Sequence, residues 1–131
     1  MSEYMNEKTN ALNWFEIAVT NIKRAMHFYE QAFNIKMHEV NISGIEMAIF
    51  PSTGEGGKVG GALVKSNMHQ PSKKGSVIYL NANPDLQIVL QRMEKIGTNI
   101  ILGKTQISPE TGFMAFFEDS EGNLVGLHSS Q

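Results

Sequence analysis

One pattern, a strand and then a helix, occurs twice in this chain. The first copy reads Trp14-Phe15-Glu16-Ile17-Ala18-Val19, then Thr20-Asn21, then Ile22, Ala25, Met26, Tyr29 and Ala32 at helical spacing. The second reads Val77-Ile78-Tyr79-Leu80-Asn81-Ala82, then Asn83-Pro84-Asp85, then Leu86, Val89, Leu90, Met93 and Ile96. Strand positions match at an offset of 63 and helix positions at 64, so the second connection has gained a residue. An offset near half of 131 residues implies two similar modules in one fold. Paired modules tend to enclose one cavity, and the residues that face it can then be named.

Composition narrows the possible functions. With 41% hydrophobic residues the chain can bury a full core as one domain. Net charge is −2 and there is no basic run, so no nucleic-acid partner is expected. No apolar stretch reaches the roughly 18 residues that span a bilayer, and residues 1–10 lack a signal peptide's apolar core. A cytoplasmic location is the expectation. The chain has no cysteine, which excludes disulfides and thiol catalysis.

Periodicity divides the chain further. Residues 1–10 read as a flexible arm, and residues 11–131 as a single domain. Module one covers about 11–66, a linker without periodicity about 67–74, and module two about 75–131. In the first strand, about 12–19, Phe15, Ile17 and Val19 make a uniformly apolar face, expected against the helix. Trp14, Glu16 and Ala18 make the other face. A helix over about 22–33 follows, with Asn21 as its N-cap. Short strands are expected at about 37–40, 44–50 and 59–65. The pair Gly60-Gly61 implies a bulge or a close approach to the backbone. Module two repeats the order: a strand at 76–82, a helix at 85–96 closed by Gly97, and strands at about 98–102, 112–118 and 123–128. The fold class is therefore α+β, with two strand–helix–strand–strand–strand modules.

The segments Phe15-Glu16-Ile17-Ala18-Val19-Thr20-Asn21, Arg24-Ala25-Met26-His27-Phe28-Tyr29 and Ala115-Phe116-Phe117-Glu118-Asp119-Ser120-Glu121-Gly122-Asn123-Leu124 carry a resemblance. Over residues 11–129 the chain resembles the vicinal oxygen chelate superfamily of glyoxalases, extradiol dioxygenases and fosfomycin and bleomycin resistance proteins. The resemblance implies two βαβββ modules whose mixed sheets curl around a cleft. It also implies homodimers. In metal-using members the first and last strand of each module carry one His, Glu or Gln ligand each. Those positions fall here on Trp14, Leu63, Val77 and Gly126, none of which has a ligating side chain. No metal and no other cofactor is therefore expected.

With the cleft face fixed in this way, Trp14, Glu16, Leu63, Tyr79, Asn81 and Gly126 become candidate ligand contacts. Leu124, His128 and Lys65 are expected on the same wall. Glu16, between Trp14 and Ala18, is a candidate acid–base group if desolvation raises its pKa, or a partner for a cationic ligand; it could also simply meet solvent. Tyr79 could donate to a ligand oxygen or only pack. Asn81 could contact a ligand or tie down the next loop. His128 is a candidate general base or a frayed terminal residue. His27, His38 and His69 read as surface or structural histidines. The function expected is metal-independent binding of a small molecule in the cleft. The alternative is a lyase, isomerase or dioxygenase-like enzyme using a displaced metal site or Glu16.

Overall fold

The computed structural model describes residues 4–131. The first three residues of the expected arm lie outside that range. Within it, Asn6 Oδ1 accepts from Lys8 N at 2.8 Å, and Asn10 Nδ2 donates to Gly57 O at 2.8 Å.

Module one consists of β1 (Trp14–Ala18), α1 (Ile22–Phe33), β2 (His38–Ile42), β3 (Ile45–Ile49) and β4 (Gly60–Lys65). Module two consists of β5 (Tyr79–Asn81), α2 (Leu86–Lys95), β6 (Asn99–Ser108), β7 (Gly112–Glu118) and β8 (Leu124–Ser129). Each module forms a four-stranded mixed sheet, in the order β1-β4-β3-β2 and β5-β8-β7-β6. The first strand of each runs parallel to the last, and the remaining pairs are antiparallel. The two sheets thus repeat one topology, as the sequence repeat requires.

Local chemistry explains the element ends. Asn21 caps α1 by accepting from Arg24 N at 3.0 Å, and Asp85 caps α2 by accepting from Gln87 N at 2.9 Å. Between β2 and β3, Ser43 and Gly44 both take positive φ, 54° and 83°, the geometry of a tight hairpin turn. Gly97 leaves α2 at φ 78°.

Strand lengths differ from expectation in two places. Only Tyr79–Asn81 of the segment 76–82 forms a ladder, while β6 continues to Ser108. The extension, Gly103 to Ser108, has no apolar alternation. It is carried by pairing with β7, with register shifts at three points. A strand held by a neighbour across register shifts leaves little trace in its own sequence.

Both helices and the inner faces of both sheets share one core. Ile17, Val19, Ala25, Tyr29, Ala48 and Leu63 of module one cluster with Leu80, Leu86, Met93, Ala115, Phe117 and Leu127 of module two. Phe15 lies at its edge, 5.5 Å from the Phe50 ring centre to centre. Its ring lies so close to Gly61 that a Cβ there would be 2.4 Å from it. β1 and β4 pair without interruption, so the glycine serves this close approach and not a bulge.

The seam between modules is polar where it reaches the surface. The Tyr29 hydroxyl, fully buried, donates to Asp119 Oδ2 at 2.7 Å. Burial first, and the Asp119 carboxylate second, push the Tyr29 phenol well above its usual range, so it remains a donor. Asn123 Nδ2 donates to Ala18 O at 2.7 Å. Glu121, in the turn after β7, has an inaccessible side chain. It accepts from Thr20 N, Asn21 N and the Arg24 guanidinium at 2.7–3.0 Å. Burial alone would raise its pKa; the bonds from Arg24, Thr20 and Asn21 outweigh it and hold it down at about 2.

Candidate functional site

Sheet pairing decides which residues share the faces turned away from the core. Glu16 lies opposite Ala62, and Trp14 opposite Gly60. Tyr79 lies opposite Gly126, and Asn81 opposite His128. Partners across a ladder point to the same side. The outer face of sheet one is therefore Trp14, Glu16, Ala18, Gly60, Ala62 and Val64. On sheet two it is Tyr79, Asn81, Leu124, Gly126, His128 and, from β7, Phe116.

Leu63 is not on this face. It pairs with Ile17, is fully buried and belongs to the core, and Lys65 shares its side of the sheet. Ala62 is the residue equivalent to Gly126, because each lies opposite the repeat-related residue, Glu16 or Tyr79. The expected offset of 63 becomes 64 here, and one residue is enough to turn a strand side chain over.

On module one, Glu16 anchors a small polar cluster. Its Oε2 accepts from Trp14 Nε1 at 3.2 Å, and its Oε1 lies 2.7 Å from His69 Nε2. His69 Nδ1 in turn lies 2.6 Å from Ser66 Oγ. The hydrogen bond from His69 is the largest influence on Glu16; with that from Trp14 it outweighs partial burial and lowers the pKa. The raised pKa expected from desolvation is thus reversed, and Glu16 is an ionised acceptor, not a proton donor. Sequence reasoning missed His69 as Glu16's partner, since residues 66–74 have no periodicity. The Ser66-x-x-His69 spacing, which suits a side-chain-stabilised turn, was the available signal.

On module two the equivalent position holds an aromatic ring. Tyr79 lies flat on Gly126, where an added Cβ would be 2.5 Å from its ring. It also meets Phe116 at 5.6 Å between centroids. Trp14 and Tyr79 remain 46% and 44% exposed. Asn81 Oδ1 accepts from Asn83 N at 2.9 Å, which orders the loop into α2. His128 is not frayed: it lies inside β8, with Nε2 2.6 Å from the Thr111 carbonyl. That nitrogen must donate to the carbonyl, which holds the ring in place within the sheet.

Two recesses bear on this face and its surroundings. One of about 170 Å³ lies at the junction of the modules, lined by Glu16, Ala18, Gln70, Ile78 and Leu124 among others. A larger one, about 230 Å³, lies between the end of α1 and the start of α2, beside Phe33, Asn83, Asp85 and Arg92. The smaller adjoins Glu16 and is the one relevant to this face. The larger is bordered mainly by the helices and the loop into α2, and Asn81 at the end of β5 also lines it.

The sequence profile of the glyoxalase/bleomycin resistance protein/dioxygenase superfamily matches residues 11–127. The chain belongs to this superfamily. No curated protein matches it. Solved structures of superfamily proteins share the fold at low identity. A glyoxalase/bleomycin resistance/dioxygenase domain from Frankia sp. EAN1pec aligns with TM-score 0.69 and 10% identity, covering 95% of this chain and 100% of that one. An antibiotic-binding protein from a Streptomyces species aligns with TM-score 0.67 and 16% identity, covering 96% and 100%. The trypanothione-dependent glyoxalase I of Leishmania major aligns with TM-score 0.66 and 17% identity, covering 93% and 88%.

Many members of this superfamily use a divalent metal, so the donor set here needs testing. The four corresponding positions are Trp14, Ala62 and Gly126 in strands and Val77 just ahead of β5, and none offers oxygen, nitrogen or sulfur suited to a divalent ion. The Tyr79 ring occupies the space a donor side chain at 126 would need. Among the described residues no three His, Asp or Glu side chains converge elsewhere. The residues do not fit a metal at the superfamily's position.

Proposed function

We propose that this superfamily member binds a small, flat and largely apolar molecule on its outer sheet faces, with no metal ion at the usual strand positions. One observation carries the reading: half-exposed rings stand at two of the superfamily's ligand positions, Trp14 at the first-strand position of module one and Tyr79 over the last-strand position, Gly126, of module two. Trp14 flanks Gly60, 3.6 Å from where a Cβ would be, and Tyr79 covers Gly126. Apolar surface with a few polar groups nearby suits a small-molecule site. The Streptomyces relative, described as antibiotic-binding, supports the class of ligand without naming one here.

Trp14 is the only tryptophan, so its emission reports this wall alone. Titration with planar aromatic compounds is expected to quench it saturably, and Tyr79→Ala to weaken the binding. Emission indifferent to every such compound would overturn the reading. Elemental analysis is expected to find no stoichiometric zinc, nickel, iron or manganese; about one ion per chain would contradict it.

Assembly belongs to the same proposal. Leu12, Trp14, Val77, Tyr79 and Met68 are exposed, and a second copy covering them would deepen the shallow recess. A homodimer mass is expected by light scattering at micromolar concentration; a monomer mass would remove this part. A metal-free lyase or isomerase with Glu16 as base is the second reading, supported by its ionised carboxylate. It is the weaker one because His69 and Trp14 already engage both carboxylate oxygens.

A further inference from the structure

The cluster around Glu16 has an internal order. Ser66 Oγ lies 2.6 Å from His69 Nδ1, and His69 Nε2 lies 2.7 Å from Glu16 Oε1. Proton positions follow from what each group can do. Glu16 is ionised and can only accept, so Nε2 carries a hydrogen. In the neutral ring Nδ1 is then an acceptor, and the Ser66 hydroxyl donates to it. Met68 N donates to Ser66 Oγ at 3.1 Å, which fixes the oxygen and leaves it one lone pair. The backbone N–H of Asn67, next after the serine, has no partner among the described residues. The His69 and Glu16 side chains are 20% and 32% exposed, so the chain of bonds is reachable from solvent.

A hydroxyl, an imidazole and a carboxylate bonded in that order is the arrangement that activates a serine. We infer that Ser66 is a nucleophile, activated by His69 and held in place through Glu16, that takes the acyl group of small esters. Ser66 Oγ attacks the ester carbonyl and its proton passes to His69 Nδ1. The developing oxyanion is met by the Asn67 N–H, and the bond to the leaving oxygen breaks as His69 returns the proton to it. Water, deprotonated by the same imidazole, then releases the acid and restores Ser66. His69 and Ser66 are the catalytic residues; Glu16 is a positioning residue that fixes the tautomer and orientation of the ring. The inference does not depend on the ring-lined wall proposed above.

The test uses the full chain and a fluorophosphonate probe, which loses fluoride as it phosphonylates an activated serine. The expected result is a single adduct mapped to Ser66, absent in Ser66→Ala. His69→Gln should slow labelling by about 10²–10⁴-fold, the usual range for a lost general base. Glu16→Gln should slow it about tenfold or more and move the His69 Nε2–H proton resonance upfield, a change that loss of packing alone would not cause. p-Nitrophenyl acetate should give a burst of nitrophenolate in the unaltered chain only. No adduct at Ser66, or labelling of Ser66 at the same rate in His69→Gln, would overturn the inference. Quenching of Trp14 by planar ligands, repeated on Ser66→Ala, keeps this outcome separate from that of the binding proposal.

Discussion

Two regions of the molecule are unlike: the seam between the modules, built from α1 and the turn after β7, and the outer faces of the strands. At the seam, the acceptor carboxylates and the Tyr29 hydroxyl are buried and polar groups are paired: Tyr29 with Asp119, Asn123 with Ala18 O, Glu121 with the half-exposed Arg24 and two backbone amides. On the outer faces, two aromatic rings lie half exposed, and the polar groups sit in one corner around Glu16. Burial explains the contrast. An unpaired polar group costs much more at the seam than on an exposed face, so seam residues are committed to stability. The outer residues carry less of the fold and can be spent on recognition.

Substitutions at the seam are the strongest challenge to this division. Asp119 accepts from Tyr29, Glu121 N, Asn123 N and Asn123 Nδ2. Asp119→Ala should cost roughly 3–5 kcal/mol, since it strands several buried donors at once. Urea unfolding measures this, and a loss under about 1 kcal/mol would show that water replaces the carboxylate.

Acid should find the seam next. The folded pKa of Glu121 is about 2, against an ordinary 4.5. A depressed carboxylate contributes its full stability above the unfolded value, and that contribution falls away as pH drops from about 4.5 towards 2. The amount is roughly 3 kcal/mol. Thermal melts across that window should lose much of their slope in Glu121→Gln, which removes the titrating group.

A smaller effect is expected from Gly126→Ala, about 1–3 kcal/mol, because the new Cβ meets the Tyr79 ring. The double substitution with Tyr79→Ala should recover most of it. Failure of that recovery would mean that the β8 backbone itself requires glycine. Glu16→Gln sits at the bottom of the order, with a stability change under about 1 kcal/mol. A loss comparable with that of Asp119→Ala would erase the distinction between the two regions.

The repeat made the topology readable, and alternation in β1 correctly separated Trp14, Glu16 and Ala18 from Ile17 and Val19. Other features were hidden for physical reasons. Leu63 was placed by counting across loops, where a one-residue gain reverses the facing of a strand. β6 beyond Leu102 is specified by its partner β7 more than by its own pattern. His69 reaches Glu16 across 53 positions through a stretch whose path only the folded chain reveals. Tyr79 on Gly126 was half visible: the glycine and the tyrosine could both be named, but not that one lies upon the other.

Glu121 also bears on the order in which the molecule can be completed. The carboxylate that satisfies Thr20, Asn21 and Arg24 is about 100 positions downstream. Until it emerges, the start of α1 has no anion to accept from it, and Tyr29 has no Asp119 to donate to. Pairing so distant in sequence is slow to form. The turn from Asp119 to Asn123 is in effect a clasp: one short segment of module two fastens β1, the start of α1 and Tyr29 of module one.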